Sequence, residues 1–356
     1  MIYSPDNSRV RPIGRTLYRN DILYLGYSCT AAEFTFDGTH LTAELTTDWQ
    51  LDEPWKGIFQ PYAAIFVDDV MVRRFPIEGG TNSYEIYSAE SPRRIKIKLM
   101  KLSENAFGRI GIVSLSGDGE ILPTAQDAPR RIEFVGDSIT CGFGIEGVFG
   151  KDNFTTAQEN AWENYAATTA RCFGAEFHLV SWTSIGVISN SVKPDVDEPD
   201  TGWLMPALYD YTDRGTEGML GVDDEHKEIW DNSRFAPQVI VVNLGTNDKD
   251  YTRGVPEREA AFEKGYGEFI TKIRRKNPDA FIICALGVMG QQLCPQVENA
   301  VRSLGDDRII SMRFEVQKEE NGIGAEEHPS MATHKIMAQE LEKVISEVTG
   351  WETIDN

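Results

Sequence analysis

The chain has 356 residues, of which 41% are hydrophobic and 10% aromatic, so it can form a sizeable core and its length favours two domains. Its formal net charge of −21 at pH 7 repels nucleic acids and anionic membrane surfaces, which favours a neutral or cationic partner. No apolar run reaches the ~20 residues of a transmembrane helix.

Residues 14–115 alternate apolar and polar side chains with the period of two that is typical of strands. The segment AEFTFDGTHLTAELTTDW, residues 32–49, predicts a hairpin that turns at Asp37-Gly38. A second hairpin is predicted at Asp68-Asp69, and RRIKIKLMKL predicts a further strand. Because no long amphipathic helix interrupts these runs, residues 1–120 are predicted to form an all-β sandwich or jelly-roll-like domain.

A segment rich in Gly, Pro and polar residues follows, and residues 121–131 are predicted to link the two domains. In residues 132–356, short apolar strands alternate with amphipathic helices. Strands are predicted in RIEFV, AEFHLVS, QVIVVNL and AFIICAL, and helices in AWENYAATTARCF, EREAAFEKGYGEFITKIRRK and THKIMAQELEKVISEV. This alternation predicts an α/β domain whose parallel sheet is covered by helices on both faces.

The carboxyl ends of parallel strands share one edge of the sheet, and polar motifs follow several of these strands. Ser138 lies in GDS after the first strand, Gly186 in WTSIGVISN after the second, and Asn247 in GTND after the third. Two histidines, His328 and His334, precede the last helix in EEHPSMATH. A serine nucleophile, an imidazole base and donors for an oxyanion are the groups that acyl transfer requires. The backbone N–H groups of Ser138 and Gly186 and the Asn247 amide are the candidate donors.

Each motif alone also has a structural explanation. GDS can be an ordinary turn, GTND can be an Asx turn that caps a helix, and His334 suits packing or capping of the last helix. Cys141 follows Ser138 closely, but nothing near it in sequence stabilises a thiolate, and the five scattered cysteines favour neither a disulfide framework nor a structural zinc site. Three further histidines have no motif around them and are interpreted as ordinary surface or half-buried residues: His40, His178 and His226. The order of four motifs along one chain favours the catalytic interpretation.

Over residues 131–356 the chain resembles the SGNH or GDSL-type hydrolases, a flavodoxin-like α/β family of esterases and deacetylases, whose motif residues match Ser138, Gly186, Asn247 and His328. The β-rich N-terminal domain, together with WLMPALYDYT and HPSMATHKIMAQEL, narrows the resemblance to carbohydrate esterase family two. That family removes acetyl groups from plant polysaccharides such as xylan and glucomannan without a metal. The resemblance therefore implies a serine O-acetylesterase with no cofactor.

One position departs from the family pattern. Most SGNH hydrolases have an aspartate three residues before the histidine, whereas this chain has Ala325, followed by Glu326 and Glu327. Some members of the resembling family use a Ser–His dyad in which a backbone carbonyl holds the ring. The resemblance thus implies a dyad of Ser138 and His328, with either the carbonyl or the carboxylate of Glu326 orienting the imidazole.

Three aromatic residues are candidates for contact with a carbohydrate substrate, and other functions remain as alternatives. Trp203, Trp230 and Tyr251 are candidates for stacking on sugar rings, and core or rim packing is the alternative for each. The rival functions are a short-chain carboxylesterase or thioesterase and a catalytically decayed carbohydrate-binding protein. A metal hydrolase is disfavoured because the chain has no HExxH motif or paired ligand spacing.

The first residues lack the apolar core of a signal peptide, so we expect a cytoplasmic protein, or a secreted one whose leader has been trimmed. The β-rich domain could provide an oligomer interface.

Overall fold

The computed structural model describes residues 1–48, 57–124 and 128–354, and the chain divides into two compact units. The β unit comprises Met1–Asp127, Thr155–Ala161 and Thr212–Glu228. The α/β unit comprises Ala128–Phe154, Trp162–Tyr211 and Ile229–Asn356. Two short segments from the predicted second domain, residues 132–356, therefore belong to the β unit, although the predicted domains were continuous.

The β unit consists mainly of antiparallel strands. Within its described residues these are β1 (Ile2–Tyr3), β2 (Arg11–Ile13), β3 (Leu17–Arg19), β4 (Ile22–Leu25), β5 (Ala31–Thr47), β6 (Tyr62–Val67), β7 (Val70–Pro76), β8 (Gly80–Lys101), β9 (Ile110–Gly117) and β10 (Glu120–Pro123). The strand order is β3-β4-β9-β5-β8-β6-β7, with β1 paired to β9 and both β2 and β10 paired to β5. Apolar side chains from alternate positions of the long strands form one core, which includes Phe34, Leu41, Ile97 and Leu115. The predicted linker thus begins inside β10, and its residues 125–127 lie outside the described part.

One predicted hairpin is confirmed and the other is wrong. Strands β6 and β7 pair through a tight turn at Asp68-Asp69, whose φ values of 49° and 67° suit a type I′ turn. At Asp37-Gly38 the chain does not reverse, because β5 runs unbroken from Ala31 to Thr47 and pairs with β8. A register shift beside Gly38 accommodates the Asp-Gly pair as an irregularity within the strand. Long-range pairing overrides the local turn preference there. Residue 49 of that segment lies outside the described residues.

The α/β unit contains the predicted parallel sheet. Its strands are β11 (Arg131–Gly136), β12 (Glu176–Ser181), β13 (Val239–Asn243), β14 (Phe281–Leu286) and β15 (Ile309–Arg313), in the order β12-β11-β13-β14-β15. Strand β15 was not predicted from the sequence; it is an edge strand in which Ile309 is buried and the other four residues are partly buried or exposed. Strand β13, in contrast, is buried at every position, which explains its continuous apolar run.

The helices of the described chain are α1 (Ser138–Cys141), α2 (Tyr165–Cys172), α3 (Met205–Leu208), α4 (Arg214–Met219, in the β unit), α5 (Lys249–Thr252), α6 (Pro256–Lys276), α7 (Cys294–Leu304) and α8 (Met331–Thr349). Three of them, α2, α6 and α8, correspond to predicted helices, whereas α7 was not predicted. Among the described residues, none of these helices combines the length and the apolar composition that crossing a membrane requires.

The strand order determines where a site can form in the α/β unit. The chain passes from β11 to β12 on one side and then returns to β13 on the other side of β11. In open α/β sheets, a crevice opens at the carboxyl ends of strands where the order reverses in this way. The loops after β11, β12 and β13 are therefore the ones that meet at this edge.

Candidate active site

Ser138 lies at the sharp turn between β11 and α1. The Asp137 side chain caps α1 by accepting the N–H of Ile139 at 3.0 Å, and Gly142 ends the helix in a left-handed conformation with φ of 75°. Ser138 is 6% exposed. The turn thus holds the hydroxyl at the carboxyl end of the central strand, and the N–H of Ser138, at the first helical position, has no acceptor within its own helix.

His328 reaches Ser138 from 190 residues further along the chain. Its Nε2 lies 2.8 Å from the Ser138 Oγ, and its Nδ1 lies 2.9 Å from the backbone carbonyl oxygen of Glu326. A carbonyl can only accept a hydrogen bond, so the proton of the neutral ring is on Nδ1 and Nε2 accepts from the serine hydroxyl. The side chain of Glu326 is not part of this contact. This geometry is that of a Ser–His pair oriented by the backbone.

The carbonyl reaches the ring because the chain takes an unusual path just before His328. Glu326 has φ of 52° and ψ of 42°, and Glu327 has φ of 61°. Two successive non-glycine residues in the left-handed region are disfavoured by roughly 1–2 kcal/mol each, so surrounding contacts must hold them there. The Gln317 side chain donates to the Glu327 carbonyl at 2.7 Å, which is one such contact.

Gly144, six residues after Ser138, contacts the loop that immediately precedes His328, which we call the histidine loop. The Ala325 N–H donates to the Gly144 carbonyl at 3.0 Å, and Gly144 has φ of 65°. A Cβ at Gly144 would lie 2.6 Å from the Ala325 carbonyl oxygen, so any side chain there would push the loop away. Phe143 lies against the His328 imidazole with 4.5 Å between ring centroids, and it stacks on Phe154 at 3.5 Å. The turn at Gly144 and the aromatic stack therefore set the position of the imidazole.

Burial lowers the pKa of His328 to about 4, while the hydrogen bond to Glu326 acts in the opposite direction. The imidazole is therefore neutral at pH 7 and able to accept a proton. Because its partner is a carbonyl dipole and not a carboxylate, no full negative charge offsets the cost of burying the imidazolium.

The three predicted oxyanion donors lie in adjoining loops. The Gly186 N–H donates to the Asn190 side-chain oxygen at 3.2 Å, and Asn247 Nδ2 donates to the Ile185 carbonyl at 2.8 Å. The Asn247 amide also lies 3.3 Å from the Asp137 carboxylate. Asn247 therefore joins the β12 loop to the nucleophile turn, and an incoming oxyanion would compete with or share these hydrogen bonds.

Two buried carboxyls flank these donors, and sequence reasoning did not single out either. Burial and the neighbouring charge of Asp248 raise the pKa of Asp137 to about 7. Burial raises the pKa of Asp248 to about 6, against several N–H groups that lower it. Both residues follow directly from the GDS and GTND motifs, so their place in those motifs was the available sequence signal.

The aromatic candidates for sugar stacking differ in exposure. Trp203 is half-buried, and its ring lies 5.3 Å from that of Trp182, a residue that the sequence analysis did not select. Both tryptophans lie between the end of β12 and the start of α3, and the Trp182 N–H donates to the Gly136 carbonyl at 3.4 Å. Tyr251 is half-buried, with the Arg258 guanidinium 4.7 Å above its ring.

Trp230 does not suit the predicted stacking role. It is 5% exposed, lies edge-on to His178, and carries the Arg234 guanidinium 4.8 Å from its ring centroid. A ring enclosed in this way cannot present a face to a sugar. The core-packing alternative applies to Trp230.

The remaining alternative groups are buried away from nucleophilic chemistry. Cys141 is fully buried and its thiol contacts the Ser181 hydroxyl at 3.2 Å. His334 is also fully buried, and its Nδ1 accepts the N–H of Tyr165 at 3.1 Å. Burial lowers the pKa of His334 to about 3, so it is a neutral packing residue at the start of α8. Of the two histidines in EEHPSMATH, only His328 contacts the serine.

Comparison with known proteins shows which families the two parts of the chain are similar to. Residues 134–308 match the GDSL-like lipase/acylhydrolase family, and residues 12–124 match the carbohydrate esterase 2 N-terminal family. The "Cellulase/esterase CelE" of Acetivibrio thermocellus is 31% identical over 334 residues, covering 91% of this chain and 38% of that protein. The chain thus spans well under half of this relative. An "Acetylxylan esterase / glucomannan deacetylase" of Cellvibrio japonicus is 25% identical, covering 96% of this chain and 89% of that protein.

Solved structures are similar to this chain over nearly its full length. A family two carbohydrate esterase from Clostridium thermocellum, in complex with cellohexaose, has a TM-score of 0.81 and 28% identity, covering 96% of this chain and 99% of that one. An acetyl xylan esterase from the rumen bacterium Butyrivibrio proteoclasticus has a TM-score of 0.83 and 22% identity, covering 99% of both chains, and this likeness concerns the fold. The pairing of an antiparallel N-terminal domain with a parallel-sheet hydrolase domain is therefore shared.

Proposed function

Since the chain belongs to the GDSL-type hydrolases and has the two-domain organisation of the family two carbohydrate esterases, we propose that it is a serine O-acetylesterase. Its substrates are acetylated plant polysaccharides or oligosaccharides, in the manner of an acetyl xylan esterase. The relatives named as acetylxylan esterases support this substrate class. The high negative charge of the chain is compatible with a neutral carbohydrate.

A single observation carries this proposal: the neutral imidazole of His328 is hydrogen bonded to Ser138 and oriented by the Glu326 carbonyl, at 2.8 and 2.9 Å respectively. A serine hydroxyl becomes an effective nucleophile only when a base can take its proton as it attacks. These two contacts position the His328 imidazole beside the Ser138 hydroxyl and favour the tautomer whose proton is on Nδ1.

Acylation follows from these positions. The Ser138 Oγ attacks the acetyl carbonyl while its proton moves to His328 Nε2, which forms a tetrahedral intermediate. The N–H groups of Ser138 and Gly186 and the Asn247 amide stabilise the negative oxygen, and each such donor is worth about 3–4 kcal/mol in related reactions. The intermediate collapses as the imidazolium returns the proton to the departing sugar oxygen. The acetyl group is then bound to Ser138.

Deacylation repeats the sequence with water. His328 takes a proton from a water molecule, the resulting oxygen attacks the acetyl-serine, and the same donors hold the second oxyanion. Acetate leaves as the proton returns to Ser138. The orienting role of Glu326 requires only its backbone carbonyl, so the reaction uses a dyad.

We further propose that the antiparallel strands of the β unit form a jelly-roll-like sandwich that serves as a scaffold. The shared core of β5, β8 and β9 and the alternation of buried and exposed residues along these strands support this arrangement.

The test of function is acetate release from acetylated xylan, glucomannan and xylo-oligosaccharides, measured side by side for the wild type and Ser138→Ala. Serine-dependent acetate release from at least one of these carbohydrates supports the proposal. A clear preference for longer acyl chains or thioesters over acetyl esters would instead favour a general carboxylesterase or thioesterase.

Carbohydrate binding without turnover is a second candidate function. It is favoured by the solved relative that holds cellohexaose. If the wild type binds xylo- or cello-oligosaccharides yet shows no serine-dependent hydrolysis of p-nitrophenyl acetate, the binding function replaces the esterase.

A further inference from the structure

The carboxylate of Asp248 accepts three successive backbone N–H groups from the loop after β12. The N–H of Val187 lies 3.0 Å from both carboxylate oxygens, and the N–H groups of Ile188 and Ser189 lie 2.8 and 3.1 Å from Oδ1. Asp248 is fully buried. The loop thus encloses the carboxylate, and its backbone provides the hydrogen bonds that water would otherwise make.

Gly186, the residue immediately before this series, depends on the same enclosure. A Cβ at Gly186 would lie 1.8 Å from the Ser189 carbonyl oxygen and 3.0 Å from Asp248 Oδ1. The loop is therefore closed so tightly around the carboxylate that only glycine fits at its start. The orientation of the Gly186 N–H therefore depends on the hydrogen bonds between Asp248 and the N–H groups of the three residues that follow.

The same carboxylate is covalently adjacent to another oxyanion donor, because Asp248 follows Asn247 directly. The Asn247 amide donates to the Ile185 carbonyl at 2.8 Å, and Asp248 accepts the N–H of Val187. The loop after β13 is therefore hydrogen bonded to the loop after β12 on both sides of Gly186. The Asn190 side chain accepts the Gly186 N–H at 3.2 Å from the same loop. Two of the three donors are therefore held in one connected set of hydrogen bonds.

We propose that Asp248 is a positioning residue of the oxyanion hole: its carboxylate holds the Gly186 N–H and the Asn247 amide in a fixed relative geometry before charge develops on the substrate. The inference rests on the proposed esterase function. Oxyanion stabilisation is more effective when the backbone that carries the donors is already in place before the reaction, and the hydrogen bonds to the buried carboxylate fix that backbone. Asp248 itself does not contact the reacting atoms.

Asp248→Asn is the most informative substitution, because asparagine has nearly the same shape as aspartate but only one side-chain oxygen. Its NH₂ group would face at least one of the loop N–H groups, so the loop loses acceptors without losing volume. We expect Asp248→Asn to lower kcat for p-nitrophenyl acetate by about 10- to 100-fold, the scale of a misplacement near 1 Å, with KM little changed. The affinity for methylboronic acid, whose tetrahedral adduct with Ser138 places an oxygen at the oxyanion position, should weaken by a similar factor.

Asp250→Asn is the matched control. The Asp250 carboxylate accepts the Ser191 hydroxyl at 2.6 Å, so it also bonds to the loop after β12, but at an exposed contact and not at the N–H groups beside Gly186. The control should keep the kcat and the boronate affinity of the wild type. Circular dichroism and thermal unfolding establish that each variant is folded before its kinetics are compared.

Each outcome decides the inference. Wild-type kcat and boronate affinity in folded Asp248→Asn would overturn it, and so would a change confined to KM. If Asp248→Asn does not fold, Asp248→Glu is measured instead, because its longer side chain keeps the charge but cannot keep all three hydrogen bonds. A lower kcat and weaker boronate binding in Asp248→Glu support the inference, whereas wild-type values contradict it. Absence of Ser138-dependent turnover in the wild type would overturn the proposed function itself.

Discussion

The Nδ1–H of His328 donates a 2.9 Å hydrogen bond to the backbone carbonyl of Glu326, two residues earlier in the same chain. The usual aspartate position is occupied by Ala325, which is fully buried and has no acceptor in its side chain. The ring is therefore oriented by a dipole whose position depends on backbone conformation and not on side-chain identity.

Replacing the Glu326 side chain should have little effect on catalysis. Glu326→Gln keeps the carbonyl, so kcat/KM should stay within about twofold of the wild type, as for an exposed substitution. His328→Ala removes the base, and kcat/KM should fall by roughly 10²- to 10⁴-fold. Steady-state hydrolysis of p-nitrophenyl acetate measures both. Comparable losses in the two variants would show that the carboxylate takes part and would refute the dyad.

Gly144→Ala should disrupt the position of His328. The new Cβ would lie 2.6 Å from the Ala325 carbonyl oxygen, so the histidine loop must move and kcat should fall by about 10²-fold. Gly150→Ala is the matched control, because Gly150 has φ of 73° but a Cβ added there would meet no heavy atom of the described residues within 4 Å. The control carries the backbone strain without the collision. Equal losses of kcat in both variants would attribute the effect to strain and not to the contact.

The pH dependence should reflect the lowered pKa of the His328 imidazole. Only the unprotonated ring can accept the serine proton, and burial lowers the pKa of His328 to about 4. With p-nitrophenyl acetate, kcat/KM should therefore stay level as the pH falls from neutral and reach half its plateau near pH 4. Activity is lost as pH falls because the protonated form is inactive.

Two other pH profiles would contradict this assignment, provided that circular dichroism shows a folded protein at each pH. A midpoint near 6.5 would mean that the imidazole titrates as it does in water. A decline that begins near pH 7 would point to Asp137, whose pKa burial raises to about 7.

Trp203→Ala should affect carbohydrate substrates selectively. The ring is half-buried beside Trp182, in the loop that also contains Gly186, so loss of a sugar-stacking surface should raise KM for acetylated xylo-oligosaccharides by about 2- to 10-fold. The KM for p-nitrophenyl acetate should not change. Trp351→Ala, a change to another half-buried tryptophan that packs on Phe173, serves as the control. An unchanged KM for oligosaccharides would exclude Trp203 from the substrate site.

Much of the architecture followed from local patterns. Alternation with a period of two predicted an antiparallel N-terminal domain, and apolar runs such as QVIVVNL predicted buried parallel strands. These predictions were accurate because the alternation of apolar and polar residues along a strand reflects which face of the strand is buried. Strand β15 and helix α7 were not predicted, and in β15 the partial burial of an edge strand produces a weak pattern. The Asp37-Gly38 turn was wrong because pairing with β8 outweighs a two-residue preference.

Roles that depend on burial or on distant contacts were harder to predict. Trp230 and Trp203 look equivalent in sequence, yet one is 5% exposed and the other is half-buried. No role was predicted for Asp248 within the GTND motif, although its carboxylate accepts hydrogen bonds from three N–H groups about sixty positions away. Such contacts leave no periodic trace, because they join side chains to the backbone of another loop.

By itself the sequence, through its motifs and their resemblance to a family, determined the predicted site residues and their order: Ser138, Gly186, Asn247 and His328, each after or before a predictable element. The tertiary structure shows the contact itself, with His328 Nε2 beside the serine hydroxyl and His334 buried, and only the structure decided that the carbonyl and not the carboxylate of Glu326 holds the ring. The reason is physical. Periodicity and turn chemistry are set by neighbouring residues, whereas an imidazole's partner is set by loops that meet only after the sheet has formed.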